Sequence, residues 1–346
     1  MSPTSVGLQH GKRQAAPPKP SHALPLLPFG LARVQGSQKV FIMKLSRRDA
    51  LLAGATLPFA AATPTLLSAA GHSAASMPTH RDFTLGDFKV TTLLVGSRSV
   101  EGPQNIFGMN VDAETFADVS AANFLSTDAA QFFFTPTVVN TGTDVILFDT
   151  GLNAEGTTKA LAVAGYAPSD ITHVVLIHMH GDHIGGLTGA DGAETFAGAA
   201  YVTGQVEFDA WAKQENEGFE GKVGPLAEKM TFIDAGQDVG SGVTAVEASG
   251  HTPGHMGYML ESGGSQLLLM ADTANHYVWS VGYPEWEVKF DMDKAAAAAT
   301  RKKIMDMASA DRFPLIGYHM PFPGMGFIET CGEGGYRYVP HSYQLI

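Results

Sequence analysis

Six residues, His178-Met179-His180-Gly181-Asp182-His183, follow directly on the apolar run Thr172-His173-Val174-Val175-Leu176-Ile177. The run reads as a buried strand, so the six sit at its carboxyl end. Residues two apart on an extended chain point the same way, and His178 and His180 therefore converge on one cation. The chain then turns through Gly181, which leaves Asp182 and His183 to face a second. Neutral imidazole and carboxylate are the ligands that borderline metals such as zinc prefer. A lone histidine beside a strand is ordinarily structural or solvated. Three with an aspartate in six residues, in a chain of only 13 histidines, are a ligand pattern. Gly185 and Gly186 allow the following helix to pack closely.

Three later segments complete the pattern: Gly250-His251-Thr252-Pro253-Gly254-His255, Ala271-Asp272-Thr273 and Gly317-Tyr318-His319-Met320-Pro321-Phe322-Pro323-Gly324. Each ends an apolar strand-like run, where open α/β folds place their chemistry. His178, His180, His183, His251 and His319 with Asp182 and Asp272 make enough ligands for two metals sharing a bridging group. Asp149, in Phe148-Asp149-Thr150-Gly151, reads as a carboxylate that orients a ligand imidazole. His255 reads equally as an orienting or a packing residue. His173 and His341 read as structural.

The expected frame is α/β. Residues 83–97 and the stretch Phe132–Asp149 read as hairpins, the second turning at Asn140–Asp144. Helices are expected near 156–165, 205–214, 222–230 and 293–309, and strands near 243–248, 256–261, 266–270 and 313–317. Residues 101–130 read as polar loop with short helix. With no repeat and no internal linker, 80–346 is expected to form one domain.

The amino-terminal part is made differently. Residues 1–80 carry eight basic residues and one acid, which leaves 14 basic and 33 acidic residues, a formal −19, to 81–346. The whole-chain charge of −12 averages the two. Residues 1–42, rich in Pro, Gly, Ser and Gln, read as disordered or as an upstream extension with Met43 as the start. Residues 43–75 place Arg47-Arg48 ahead of a moderately apolar Ala/Leu/Thr run, in the manner of a twin-arginine export signal. Pro58 and Pro64 make that run a poor membrane span. A periplasmic or secreted enzyme is expected, exported folded with its metal aboard. The acidic remainder disfavours nucleic acid and anionic lipid, and stable membrane insertion of the mature chain is not expected. A single cysteine, Cys331, excludes intrachain disulfides and cysteine-built zinc clusters; it reads as a packed thiol.

The ordered set Asp149, His178-x-His180-x-Asp182-His183, His251, Asp272 and His319 resembles the metallo-β-lactamase superfamily. That resemblance implies an αβ/βα sandwich with a dinuclear site at the sheet edges. By position, His178, His180 and His251 would hold one metal, Asp182, His183 and His319 the other, and Asp272 would bridge both. Gly250–His255, His319–Gly324 and Gly335-Tyr336-Arg337-Tyr338-Val339-Pro340 are similar to methyl parathion hydrolase and its lactonase and arylesterase relatives, which implies a homodimer. Segments 98–131 and 275–292 depart from those relatives.

Two such cations, zinc or else manganese, cobalt or iron, bring a bridging water's pKa near neutral, and the hydroxide attacks a carbonyl or phosphorus. Asp182 and Asp272 are the carboxylates expected to act in catalysis, Asp182 by steering the nucleophile. Phe132, Phe133, Phe134, Trp211, Trp279 and Trp286 are the candidate walls of an aryl- or acyl-accepting pocket. The expected activity is hydrolysis of small neutral esters or lactones, extending to organophosphate triesters. The alternative is β-lactam hydrolysis; against it, Asp272 stands where the commonest zinc β-lactamases use a cysteine.

Overall fold

The computed structural model describes residues 78–341, which lie in one compact unit. The 1–42 extension, the 43–75 export signal and its cleavage sites lie outside the described residues.

Strands β1 (His80–Leu85) and β2 (Phe88–Leu93) form the first hairpin. The chain then leaves to make a separate two-stranded ribbon from β3 (Gly96–Glu101) and β4 (Ala129–Phe134), and rejoins through β5 (Thr137–Asn140) and β6 (Val145–Phe148). Strands β7 (His173–Leu176), β8 (Ala200–Gly204) and β9 (Met230–Ile233) add in parallel, giving a seven-stranded sheet ordered β1-β2-β5-β6-β7-β8-β9. A second sheet of seven runs in sequence order: β10 (Asp238–Gly240), β11 (Val243–Glu247), β12 (Met256–Ser262), β13 (Ser265–Ala271), β14 (Leu315–Gly317), β15 (Met325–Thr330) and β16 (Tyr336–Pro340).

Apolar alternation explains how the sheets stack. Phe83, Val90, Phe148, Val175 and Ile177 of the first sheet and its continuation share one buried cluster with Val243, Tyr258, Leu267, Leu269 and Ile316 of the second. The intervening residues point the other way. Val174, Leu176 and Tyr201 pack under α2 (Ala154–Val163) and beside α4 (Gln205–Trp211) and α5 (Glu217–Lys222), whereas Leu268, Met270 and Leu315 pack under α6 (Lys294–Asp311). Strands buried on both faces need unbroken apolar text, which is why Val174–Ile177 and Leu267–Met270 carry no polar residue. The layers are helix, sheet, sheet, helix: the expected αβ/βα sandwich.

The short helix expected within 101–130 is α1 (Ala113–Ala122), capped by Asp112. Three sequence expectations shift. Gly96 and Ser97, read as the end of the first hairpin, open β3 of the separate ribbon instead. Phe132–Phe134 belong to that ribbon rather than to the Asn140 hairpin. The helix expected near 222–230 is a 3-10 turn, Gly224–Lys229, with Pro225 at its start, and α5 precedes it. Among the described residues no helix is long and apolar enough to cross a membrane.

Candidate metal centre

The carboxyl ends of β6, β7, β11, β13 and β14 bring the sequence-predicted ligands to one edge of the sandwich. Gly181–Ile184 forms a single helical turn, α3, whose start carries Asp182 and His183. Asp149 and Ala271 adopt left-handed backbone, with φ of 61° and 41°. Both sit at strand ends in the centre, where such strain persists only if packing enforces it. Gly250 precedes His251 with φ of 125°, and a Cβ there would lie 2.2 Å from the Ala297 nitrogen of α6.

Two groups of ligand atoms result. His178, His180, His251 and Asp272 form one, and Asp182, His183 and His319 the other, with the offered atoms of each group within 4.8 Å of one another. In the first, His180 Nδ1 is 3.0 Å from both His178 Nε2 and His251 Nε2, and Asp272 Oδ2 is 3.3 Å from His251 Nε2. In the second, His319 Nε2 lies 3.3 Å from Asp182 Oδ2, and His183 Nε2 lies 3.7 Å from the same oxygen. Asp272 reaches this group too, at 3.5 Å from His183 Nε2 and 3.2 Å from His319 Nε2. Tetrahedral bonds of about 2.0–2.1 Å space ligand atoms about 3.3 Å apart, so both groups fit a zinc-sized cation. His183 Nε2 and Asp272 Oδ1 are buried without a hydrogen-bond partner, as unmet ligand atoms would be.

The far nitrogens are tied down. His183 Nδ1 meets Asp149 Oδ2 at 2.7 Å, while the other Asp149 oxygen accepts the Ile177 amide at 2.9 Å. His251 Nδ1 meets Asp291 Oδ1 at 2.9 Å, and the Arg301 guanidinium holds Asp291 Oδ2 at 2.8 Å. His319 Nδ1 donates to the Phe133 carbonyl at 2.8 Å. With those protons placed, each Nε2 lone pair faces the centre. His255 Nδ1 lies 3.1 Å from the Ala248 carbonyl, and its Nε2 accepts the Asp272 amide at 3.2 Å, so it orients the shared aspartate from behind. Asn275 donates to Asp272 Oδ2 at 3.0 Å, and the Tyr318 hydroxyl donates to the Asp182 carbonyl at 2.6 Å.

Glu207 is the largest omission from the sequence reading. Fully buried, it accepts four hydrogen bonds: from the Met179 amide at 3.1 Å, Trp211 Nε1 at 2.7 Å, Thr252 Oγ1 at 2.8 Å and the Gly254 amide at 2.9 Å. It thereby ties the His178–His180 loop to the His251 loop. Burial raises its pKa against those four donors.

The charges oppose one another. Burial pushes His178 well below the usual imidazole range, takes His180 to about 4, and takes His255 to about 3. Burial acts the same way on His183 and His319, but the carboxylates of Asp149, Asp182 and Asp272 outweigh it, holding His183 high and His319 at about 10. Burial would protonate Asp272; the facing imidazoles hold it well below the usual carboxylate range. His178 and His180 are thus already neutral and the acids ionised, while His183 and His319 hold protons that a divalent cation would displace on binding, since a ligating imidazole must be neutral.

A cavity of about 320 Å³ opens over the ligands, lined by His180, Asp182, Asp272 and His319 and walled by Val100, Ile106, Phe132, Phe134, Leu152 and Phe290, with Arg98 at one side. Four expected wall residues are elsewhere. Phe133 points to the opposite face of β4, because strand neighbours alternate, and contributes only its carbonyl. Trp211 packs edge-on against His180 from beneath, ring centroids 5.6 Å apart, its indole committed to Glu207. Trp279 is buried among Phe107, Phe116 and His276 and donates to Ser120 Oγ at 3.1 Å. Trp286 stacks with Phe116 and Tyr283 and borders a separate cleft of about 740 Å³ that holds no candidate ligand. Cys331 also lines that cleft and is exposed, not packed, because it follows β15 at the surface.

Residues 135–319 match the family model of the metallo-beta-lactamase superfamily. The chain belongs to that superfamily. Among its relatives, the chain is 28% identical over 140 residues to a "Probable metallo-hydrolase" of Mycobacterium tuberculosis, a match covering 36% of this chain and 44% of the relative. It is 30% identical over 112 residues to an N-acyl homoserine lactonase of Bacillus cereus, covering 32% and 42% respectively. The match thus spans less than half the length of these curated relatives. Among solved structures, AidC, a dizinc quorum-quenching lactonase, superposes with a TM-score of 0.71 at 24% identity, covering 76% of this chain and 98% of that one. The hydrolase AbOPH superposes with a TM-score of 0.72 at 22% identity, covering 78% and 99%. Both likenesses show the superfamily fold, with its mixed sheets.

Proposed function

We propose that this protein is a dinuclear metal-dependent hydrolase of small esters or lactones with an uncharged reacting end and an apolar acyl or aryl body. One observation carries the reading: Asp272 lies within 3.5 Å of imidazoles in both ligand groups, beneath an apolar-walled cavity of about 320 Å³. The similarity to an N-acyl homoserine lactonase supports the lactone side of it. Organophosphate triesters belong to the same proposal, since an electrophilic phosphorus presents a similar target.

His178, His180, His251 and Asp272 would hold one divalent cation, and Asp182, His183, His319 and Asp272 the other, zinc in both places. Bound there, the pair supplies Lewis acidity toward the substrate oxygen and a hydroxide nucleophile at neutral pH. Asp149, Asp291 and the Phe133 carbonyl keep the imidazole lone pairs aimed inward. Asp182, 24% exposed beside the nearly closed-off Asp272, accepts a hydrogen bond from the attacking water and fixes its approach. Phe132, Phe134, Val100, Ile106, Leu152 and Phe290 bind the apolar body and keep bulk water out. Export through the twin-arginine leader and assembly as a homodimer are parts of the proposal that rest on the leader and on resemblance.

The test is turnover of lactones of graded acyl length, aryl esters, phosphotriesters and β-lactams by chelated protein reloaded with zinc, manganese or cobalt. Metal-dependent cleavage of lactones or aryl esters is expected. Cleavage of β-lactams alone, or of none of the four classes, would reject the proposal.

A further inference from the structure

Arg98 lies on the cavity-facing side of the β3–β4 ribbon. The register pairs Gly96 with Phe134, Arg98 with Phe132 and Val100 with Ala130, and such opposed residues share one face. Phe132 and Phe134 in turn lie edge-on to the ligand His319, with ring centroids 5.4 and 5.5 Å away. Arg98 is therefore one residue removed from the metal centre, across the cavity wall.

Its guanidinium is exposed and makes no hydrogen bond or ion pair among the described residues. Other cations close to the centre are committed: Arg301 to Asp291, Lys294 to the Val288 and Asp291 carbonyls. The acids on the cavity wall, Asp182 and Asp272, are turned toward His183, His251 and His319. Among the described residues Arg98 is the one lysine or arginine lining the cavity, which Val100, Ile106, Phe132 and Phe134 also line. A planar donor fork that has no protein partner among the described residues, set in a cavity whose two carboxylates face the imidazoles, is available to an acceptor carried by a ligand.

Resting on the hydrolase reading, we infer that Arg98 determines specificity by binding an oxygen acceptor, a carboxylate above all, carried on the substrate's body away from the scissile bond. The acidic surface disfavours anions at long range, but within the cavity Arg98 reverses the local sign. A charge-assisted, two-pronged hydrogen bond then selects among substrates of equal apolar size.

The test compares two lactones with equal side-chain length, one ending in a methyl group and one in a carboxylate, on zinc-loaded protein. Arg98→Leu is expected to lower kcat/KM at least tenfold for the carboxylate lactone and less than threefold for the alkyl one. Arg98→Lys, which keeps the charge and loses the fork, should retain part of the discrimination. Raising salt should narrow the wild-type discrimination and leave that of Arg98→Leu unchanged. Calorimetry gives a second readout: hexanedioate should bind wild type at least fivefold tighter than hexanoate does, and Arg98→Leu should bind the two equally. Equal losses on both lactones, or no change in discrimination, would overturn the inference while leaving the hydrolase reading intact. Failure of the wild type to cleave either lactone, an aryl ester or a phosphotriester would reject both.

Discussion

Asp291 joins His251 to Arg301: one carboxylate oxygen takes His251 Nδ1 at 2.9 Å and the other takes the guanidinium at 2.8 Å, all three side chains being buried. Arg301 also donates to the Thr273 and Pro284 carbonyls, so the loop after Asp272 and the loop carrying Trp286 are anchored to the same cation. The ligand His251 is thus oriented by α6, the helix behind the second sheet.

Asp291→Asn should keep the shape while weakening the hold on the imidazole proton. Loss of such an outer partner lowers metal affinity about 10–100-fold. Zinc competition against a chromophoric chelator measures it. Unchanged affinity would show that His251 is oriented without Asp291.

Arg301→Met is expected to act on stability. Removing one member of a buried pair leaves the other charge unpaired, at a cost of about 3–5 kcal/mol. Urea unfolding of the metal-loaded protein checks this. A simultaneous Asp291→Leu change should recover part of the loss, since a buried pair replaced whole by apolar groups is often neutral.

The ligands were legible because they are crowded and ordered: His178 to His183 sit in one hexapeptide, and His251, Asp272 and His319 each lie within four residues of a strand's end. The supporting groups were not. Asp291 and Glu207 stand in no motif, and their partners lie 40 and 45 residues away in His251 and Thr252. Only packing brings them together. The strand runs were equally plain, since burial on both faces leaves continuous apolar text. The pocket was misread for a matching reason: aromatic residues mark burial, and Trp211, Trp279 and Trp286 are buried as support. Phe132 and Phe134 differ from Phe133 only by strand alternation, visible once β4 is known to exist.

Glu207→Leu tests whether one carboxylate holds the two histidine loops together. The Met179 and Gly254 amides and Trp211 Nε1 would be left without acceptors, each such loss costing about 1–3 kcal/mol. Glu207→Gln keeps one accepting oxygen and should cost less. Both variants should bind zinc more weakly than wild type, because the His180 and His251 loops are no longer tied. A Glu207→Leu protein with wild-type zinc affinity would reduce Glu207 to a fold-stabilising role.

Chelation should lower the melting temperature as well as abolish turnover. Ligands that bind only the native state stabilise it by mass action, about 2.7 kcal/mol at a hundredfold excess over Kd. Thermal melts at graded free zinc should therefore rise without a plateau over the accessible range. A melting temperature independent of zinc would mean that the seven ligand residues do not bind the ion in the folded protein.

Leu152 addresses the cavity mouth with little risk to the fold. It lines the cavity yet is 43% exposed, beside Phe290, which is 39% exposed. Leu152→Ala should change stability by about 0.5 kcal/mol or less, as surface substitutions do. The side chain meets only the apolar body of the substrate, which does not change as the bond breaks, so its binding is the same in ground and transition states. Loss of about 1 kcal/mol of apolar contact then raises KM roughly fivefold for long-chain lactones and leaves kcat unchanged. Short-chain lactones, which do not reach the mouth, should show no difference. A fall in kcat with KM unchanged would place Leu152 in the positioning of the reacting bond instead.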